Sequence, residues 1–324
     1  MFKIGDLKLK SNLILAPMAG ITDYPFRMLN RKFGAELAFV EMINVRALGY
    51  NSQKTRAMLY SGRKDRPLGV QLLGKEPKFI LRAVDILGDY KFDLVDFNAA
   101  CPAKKVVRRG EGASLLRNPK ELGNILKLLV SNFKVPVTVK IRIGWDRNSV
   151  NPVEAARYAQ DAGVKAVFIH GRTREQFYAG EVDYAAIRKV KQALNIPVIA
   201  SGDILSGELA RKMFNQTGCD GILIARGVLG NPWIFREIEA FLKDGVILKK
   251  PDKPEIAKTA IGHLDSYVDF YGEKNGVVIF RKFFSWYTRG FRKIRPFREK
   301  SSRLKSRAEM AAIIRECACR NQLT

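Results

Sequence analysis

Between Leu13 and Ile224 the chain repeats one pattern: a short apolar, β-branched run followed by a longer amphipathic stretch. Eight runs carry it: Leu13–Ala16, Leu37–Val40, Leu68–Leu72, Leu94–Phe97, Val137–Ile141, Ala166–Ile169, Val198–Ala200 and Gly221–Ile224. Such alternation marks β/α units around a parallel sheet. Eight strands in roughly 225 residues is the arithmetic of a closed (β/α)8 TIM barrel, an α/β fold. The stretches between read as helices: Glu121–Val130 sets Leu122, Ile125, Leu126 and Leu129 at helical spacing, and Val153–Asp161 follows Asn151-Pro152, a cap and a first-turn proline. An open doubly wound sheet is the competing architecture. It calls for a glycine-rich dinucleotide loop after its first strand, whereas Leu15 is followed by Ala-Pro-Met-Ala-Gly.

The pattern breaks at Lys249-Lys250-Pro251-Asp252-Lys253-Pro254, where two prolines stop the helical periodicity and lysines solvate a linker. Beyond it Ile256–Tyr271 and Ser302–Cys319 read as long helices without strands. A barrel over residues 1–248 and a small C-terminal helical domain over 249–324 are therefore expected. With 324 residues, 47% of them apolar, the chain can bury a large core. No stretch approaches the roughly 18 apolar residues of a membrane span, and Pro17 cuts the first run too short for a signal-peptide core, so a cytoplasmic location is expected. Cys101, Cys219, Cys317 and Cys319 are too few and too irregular for a disulfide framework. No metal site is expected, because only two histidines exist and neither lies near Cys317-Ala318-Cys319. The net charge of +25 calls for a polyanionic partner, nucleic acid first, and a monomer suits a protein that grips a large RNA.

In a barrel of this kind the reacting groups stand at the C-terminal ends of the strands. Those ends carry Pro17-Met18-Ala19, Glu41-Met42, Gln71, Asn98 with Cys101, Lys140 with Arg142, His170 with Arg172, Ser201-Gly202-Asp203 and Ala225-Arg226-Gly227. A buried amide or a strand-end ion pair explains any one of them; a polar group at nearly every end marks an active site. After the last two strands, glycines let backbone N–H groups approach an anion and Arg226 adds a charged fork, so a phosphorylated ligand is expected there. Alternation points Lys140 and Arg142 to the same side, into the mouth. Lys140 fits either a Schiff-base lysine or a cation facing a reduced cofactor ring, and His170 either a satisfied core residue or a donor to such a ring. Cys101 fits a nucleophile, a redox thiol or an acid, and the basic stretch from Lys104 to Arg109 lies beside it.

These segments resemble one family, the bacterial tRNA-dihydrouridine synthases, and most nearly their B-type members. The resemblance is carried by Ala16–Asp23, Asn98–Lys105 with its Cys-Pro-Ala-Lys-Lys core, Val139–Trp145, Ile169–Arg174, Ser201–Asp203 and Gly230–Phe235; it is nearly continuous from about residue 4 to 240 and then thins to patches such as Arg281–Tyr287. It implies FMN in the barrel mouth, NADPH or NADH as reductant, and reduction of the C5–C6 bond of a uridine in tRNA. Pro17, Met18 and Ala19 are then expected along the flavin ring and Gln71, Lys140 and His170 at its polar edge. Ser201, Gly202, Asp203, Ala225, Arg226 and Gly227 are expected around the ribityl chain and phosphate. Hydride arriving at C6 leaves charge at C5 that needs an acid; a thiol, with an ordinary pKa of about 8.5, is mostly protonated at neutral pH, and Cys101 takes that role. The target uridine has to leave its stack, with Asn98, Arg142 and Arg172 expected at its edge and Lys104 and Lys105 on the RNA. The cations between Phe280 and Arg307 are expected on phosphates, so affinity should fall steeply with salt, while Phe284, Trp286, Tyr287 and Phe291 fit bundle core better than base stacking.

Two positions depart from the family pattern. Ala100 stands where glycine is common, and a Cβ there costs about 1 kcal/mol if the position needs positive φ. Ser201 stands where asparagine is common, giving up one donor. Three rival readings are separable: a flavin barrel for small molecules has no use for a charge of +25, an aldolase-like enzyme with Lys140 as Schiff base predicts a colourless protein trapped by borohydride with a carbonyl substrate, and an inert RNA-binding barrel has no reason for polar strand ends.

Overall fold

The computed structural model describes residues 1–320. An antiparallel hairpin, β1 (Phe2–Ile4) and β2 (Leu7–Leu9), precedes the barrel. The eight predicted runs are then the eight barrel strands: β3 (Leu13–Leu15), β4 (Ala38–Phe39), β6 (Leu68–Leu73), β7 (Leu94–Ala99), β8 (Val137–Arg142), β9 (Val167–His170), β10 (Val198–Ser201) and β11 (Gly221–Ile224). All pair in parallel from β4 round to β11 and on to β3. The ring closes where Leu15 N–H donates to the Leu37 carbonyl at 2.9 Å. The second run is shorter than the sequence suggests, because the chain leaves the sheet at Glu41 and Met42 and pairs with β6 again at β5 (Ile43–Asn44).

Helices α1 (Tyr24–Lys32), α2 (Val45–Gly49), α3 (Gln53–Ala57), α4 (Pro77–Leu87), α5 (Lys104–Val107), α6 (Pro119–Asn132), α7 (Pro152–Asp161), α8 (Tyr184–Ala193), α9 (Gly207–Thr217) and α10 (Ile234–Asp244) follow the strands around the barrel. Proline opens α7 as expected, but Asn151 does not cap it through its side chain: Nδ2 reaches back to the Leu116 carbonyl at 3.2 Å. Strand alternation sorts the core in two. Outward residues such as Val70, Val95, Val139 and Ile141 pack beneath the helices, while Ile14, Leu94, Phe168, Ile199 and Leu223 fill the barrel with Ile4 and Leu9 of the hairpin. The hairpin therefore plugs the N-terminal end with fully buried aliphatic side chains.

After an irregular stretch, 245–252, come α11 (Lys253–Tyr271), α12 (Glu273–Tyr287), α13 (Arg295–Ser301) and α14 (Arg307–Arg320). The last helix starts at Arg307 rather than Ser302, because α13 ends in a turn at that point. Phe284, Tyr287 and Phe291 are buried in this region, as core. Its seam with the barrel is aromatic and polar together: Phe26 of α1 stacks on Phe283 at 5.5 Å, and Asp23, the N-cap of α1, accepts from Tyr267 at 2.7 Å and Tyr271 at 3.1 Å. Among the described residues no helix is long and apolar enough to cross a membrane, and no cluster of three or more His, Cys, Asp or Glu could hold a metal ion.

Candidate active site

Above the apolar floor the inward positions turn polar, because the strands run on past the last Leu, Ile and Phe of the interior. Along β7 the inward residues are Leu94, Asp96 and Asn98, and register sets Asp96 beside Gln71 and Thr138, then Asn98 beside Lys140. Asp96 accepts from Gln71 Nε2 at 2.7 Å and from Thr138 Oγ1 at 2.8 Å. Burial nonetheless raises its carboxyl to about 6, against those hydrogen bonds and the Lys140 charge. Lys140 is pushed the other way, down to about 8, by burial and by Arg142, and its amine has no hydrogen-bond partner among the described residues. His170, 8% exposed, is held well below the ordinary histidine range by burial and by Lys140, and so is neutral.

Cys101 leaves β7 on a tightly held loop. Its N–H and that of Ala100 both donate to Asn98 Oδ1, at 2.8 and 3.0 Å, and its carbonyl accepts from Ala113 at 3.1 Å. Gly112 backs the loop at φ +61°, where a Cβ would come within 2.8 Å of the Cys101 carbonyl oxygen, so no larger residue fits. Arg142 spends its guanidinium on backbone: Nε on the Ala100 carbonyl, Nη1 on the carbonyls of Thr173 and Phe177, each at 2.8 Å. It thereby ties the cysteine loop to the loop after β9.

Across the mouth, Gly202 and Asp203 both adopt positive φ, and their N–H groups donate to no acceptor among the described residues. Asp203 is bracketed by Arg172 and Arg226, whose charges hold its carboxyl below the usual range. Arg172 is buried and gives its remaining bonds to the Ala179 and Gly180 carbonyls.

These groups surround a cavity of about 450 Å³. Pro17, Met18, Ala19, Gln71, Asn98, Cys101, Lys140, Arg142, His170, Ser201, Gly202, Asp203, Ala225, Arg226 and Gly227 all line it. Arg172, Lys104 and Lys105 do not: the first lies behind Asp203, and the two lysines are exposed on α5. Met42, Ile204, Leu205 and Tyr178 are among the other residues that line it. The Tyr178 ring lies 4.9 Å from the Arg226 guanidinium and 5.7 Å from that of Arg142. It belongs to a loop without periodicity, where only its aromatic character was a signal.

The sequence model for dihydrouridine synthases matches residues 14–323. The chain belongs to the dihydrouridine synthase family. Among its relatives, "tRNA-dihydrouridine synthase B" of Pseudomonas aeruginosa is 42% identical over 314 residues, 97% of this chain and 95% of that one. The protein of the same name from Vibrio cholerae is 40% identical over 296 residues, 91% and 92% of the two chains. In fold the barrel is similar to the old yellow enzyme homologue of Zymomonas mobilis, with a TM-score of 0.54 over 77% of this chain and 93% of that one at 13% identity.

For this dihydrouridine synthase the two unusual positions have simple explanations. Ala100 lies outside the left-handed region, so its Cβ carries no backbone penalty. Ser201 lines the cavity, and its hydroxyl donates to the Ile169 carbonyl of the neighbouring strand at 3.2 Å.

Proposed function

We propose that this dihydrouridine synthase is an FMN enzyme that reduces the C5–C6 bond of a uridine in tRNA with NADPH or NADH, in the cytoplasm. The observation that carries the reading is that Cys101, on the loop leaving β7, lines one cavity with Lys140 and His170 from the next two strands, β8 and β9. The donor set suits FMN: an unpaired amine, a neutral imidazole, and free N–H groups at Gly202 and Asp203 beside Arg226. Bound and reduced, the flavin would supply hydride to C6 of the base. Pro17, Met18 and Ala19 would flank its ring, Gln71, Lys140 and His170 would meet the polar edge, and Ser201, Gly202, Asp203, Ala225, Arg226 and Gly227 would hold the chain and phosphate. Lys140 stays largely protonated at neutral pH and meets developing negative charge.

Cys101 delivers the proton to C5, Asn98 offers an N–H to the base edge, and Arg142 positions both neighbouring loops. Arg172 acts one step back, by holding Asp203. Lys104 and Lys105 meet RNA phosphates, as do exposed cations of the C-terminal helical region, residues 253–320, among them Arg289, Lys293, Arg303 and Lys305. Arg281, Lys282, Arg298 and Arg307 are instead engaged by Leu304, Gly20, Ser285 and Thr288, and Asp265. The test is Cys101→Ala. Flavin binding and its reduction by NADPH should persist while uridine reduction falls on the order of 100-fold or more; normal uridine turnover would overturn the reading.

A further inference from the structure

The polar layer of the barrel forms a directed chain. Asp96 Oδ2 accepts from Gln71 Nε2 at 2.7 Å, Gln71 Oε1 accepts from Asn98 Nδ2 at 2.7 Å, and Asn98 Oδ1 accepts the backbone N–H of Cys101 at 2.8 Å and of Ala100 at 3.0 Å. Gln71, Asp96 and Asn98 are at most 6% exposed. A side-chain amide can turn end for end, but here neither can: an ionised carboxylate only accepts, and a backbone N–H only donates. Both ends of the chain therefore impose the same direction on the two amides between them. The second hydrogen on Asn98 Nδ2 is left facing Met42 Sδ at 3.2 Å, a weak acceptor that an oxygen of a bound base outcompetes.

We propose that Asp96 is a positioning residue, which through Gln71 and Asn98 fixes the place of the Cys101 loop and turns an N–H of Asn98, rather than its carbonyl, toward the base. The inference rests on the reading of Cys101 as the acid. Asp96 touches neither Cys101 nor the cavity; it reaches the Cys101 loop through the two amides, and its charge also faces Lys140.

A charge-relocation cycle tests the relay. In Gln71→Glu two carboxylates face each other at the Asp96 contact, and above the raised pKa of the pair, where both are ionised, that link breaks. In Asp96→Asn the link survives, because Thr138 can accept the new N–H while turning its own hydroxyl to the Val95 carbonyl, 3.4 Å away. In the double variant the new amide at position 96 donates to the new carboxylate at position 71. That carboxylate accepts from Asn98, whose direction is then as in the parent at the same net charge. The first measurement is the rate of alkylation of the Cys101 thiol by iodoacetamide across pH, without RNA, read by peptide mass. The second is uridine turnover set against flavin reduction by NADPH.

Gln71→Glu should change the pH-independent alkylation rate and the uridine turnover by about tenfold or more, Asp96→Asn by less than about threefold, and the double variant should return to the Asp96→Asn level. An alkylation rate in Gln71→Glu within about twofold of the parent, or a double variant no better than Gln71→Glu, overturns the relay. If Gln71→Glu does not fold, Gln71→Met carries the test: it cuts the relay without adding charge, should move alkylation as far, and should gain nothing from Asp96→Asn. Alkylation judges the relay even if the parent fails to reduce uridine, a result that would count against the proposed activity instead.

Discussion

The two ends of the barrel interior are made by the same strands and hold opposite kinds of side chain. On β7 the change takes one step, from Leu94 among Ile14, Phe168 and Leu223 to Asp96 among Gln71, Thr138 and Lys140. The floor is held by burial alone and the mouth by directed hydrogen bonds, so damage at each end should read out differently. Leu94→Ala leaves a cavity beneath the site and should cost about 2–5 kcal/mol of stability, while uridine turnover per folded molecule stays within about twofold. Denaturation in urea alongside turnover at 25 °C checks both; a matching loss of turnover would mean that the floor shapes the site as well as supporting it.

The mouth should show the reverse balance, because its central carboxylate is a burden on the fold. Burial raises Asp96 from 3.8 to about 6, so the folded state binds its proton more tightly than the unfolded chain does. Stability attributable to this group is therefore highest below the unfolded value, falls as pH rises through the window from about 4 to 6, and is flat above it. At neutral pH the charged form costs about 3 kcal/mol. Asp96→Asn lacks that titration, so its stability relative to the parent should climb by about this amount between pH 4 and pH 7. Parallel urea curves at every pH would mean that Asp96 titrates as an exposed carboxyl and that the mouth carries no such cost.

Most of the scaffold was legible because apolar period and strand-end polarity are local signals: all eight strands lie on predicted runs, and most of the expected site residues share one cavity. What a side chain bonds to was less legible. Arg142 and Arg172 are both strand-end cations, yet one clamps the Cys101 loop and the other lies behind Asp203, a difference set by backbone carbonyls brought in from other loops. Asn151 has the composition of a cap without the bond, since Leu116 offers its side chain a carbonyl. The basic run near the C-terminus mixes cations open to solvent with others engaged inside the protein, which charge alone does not separate.

One part of the mouth is held from outside the barrel. The loop from Ala16 to Asp23 lines the cavity at its start and meets the C-terminal helices at its end, where Tyr267 and Tyr271 bond to Asp23. Gly20 is gripped on both backbone groups: its N–H donates to Glu41 of the barrel, and its carbonyl accepts from Lys282 of α12. Removing the second grip with Lys282→Met takes away one charge-assisted hydrogen bond at a partly exposed site, worth about 1 kcal/mol or less to the fold. If the loop flanks the flavin, its affinity for FMN should fall by about three- to tenfold, and Lys282→Arg, which keeps a cationic donor, should recover most of the loss. Equilibrium titration of the apoprotein with FMN measures this directly; unchanged affinity in Lys282→Met would mean that the barrel alone positions Pro17, Met18 and Ala19, and that the helices hold this edge of the mouth without tuning it.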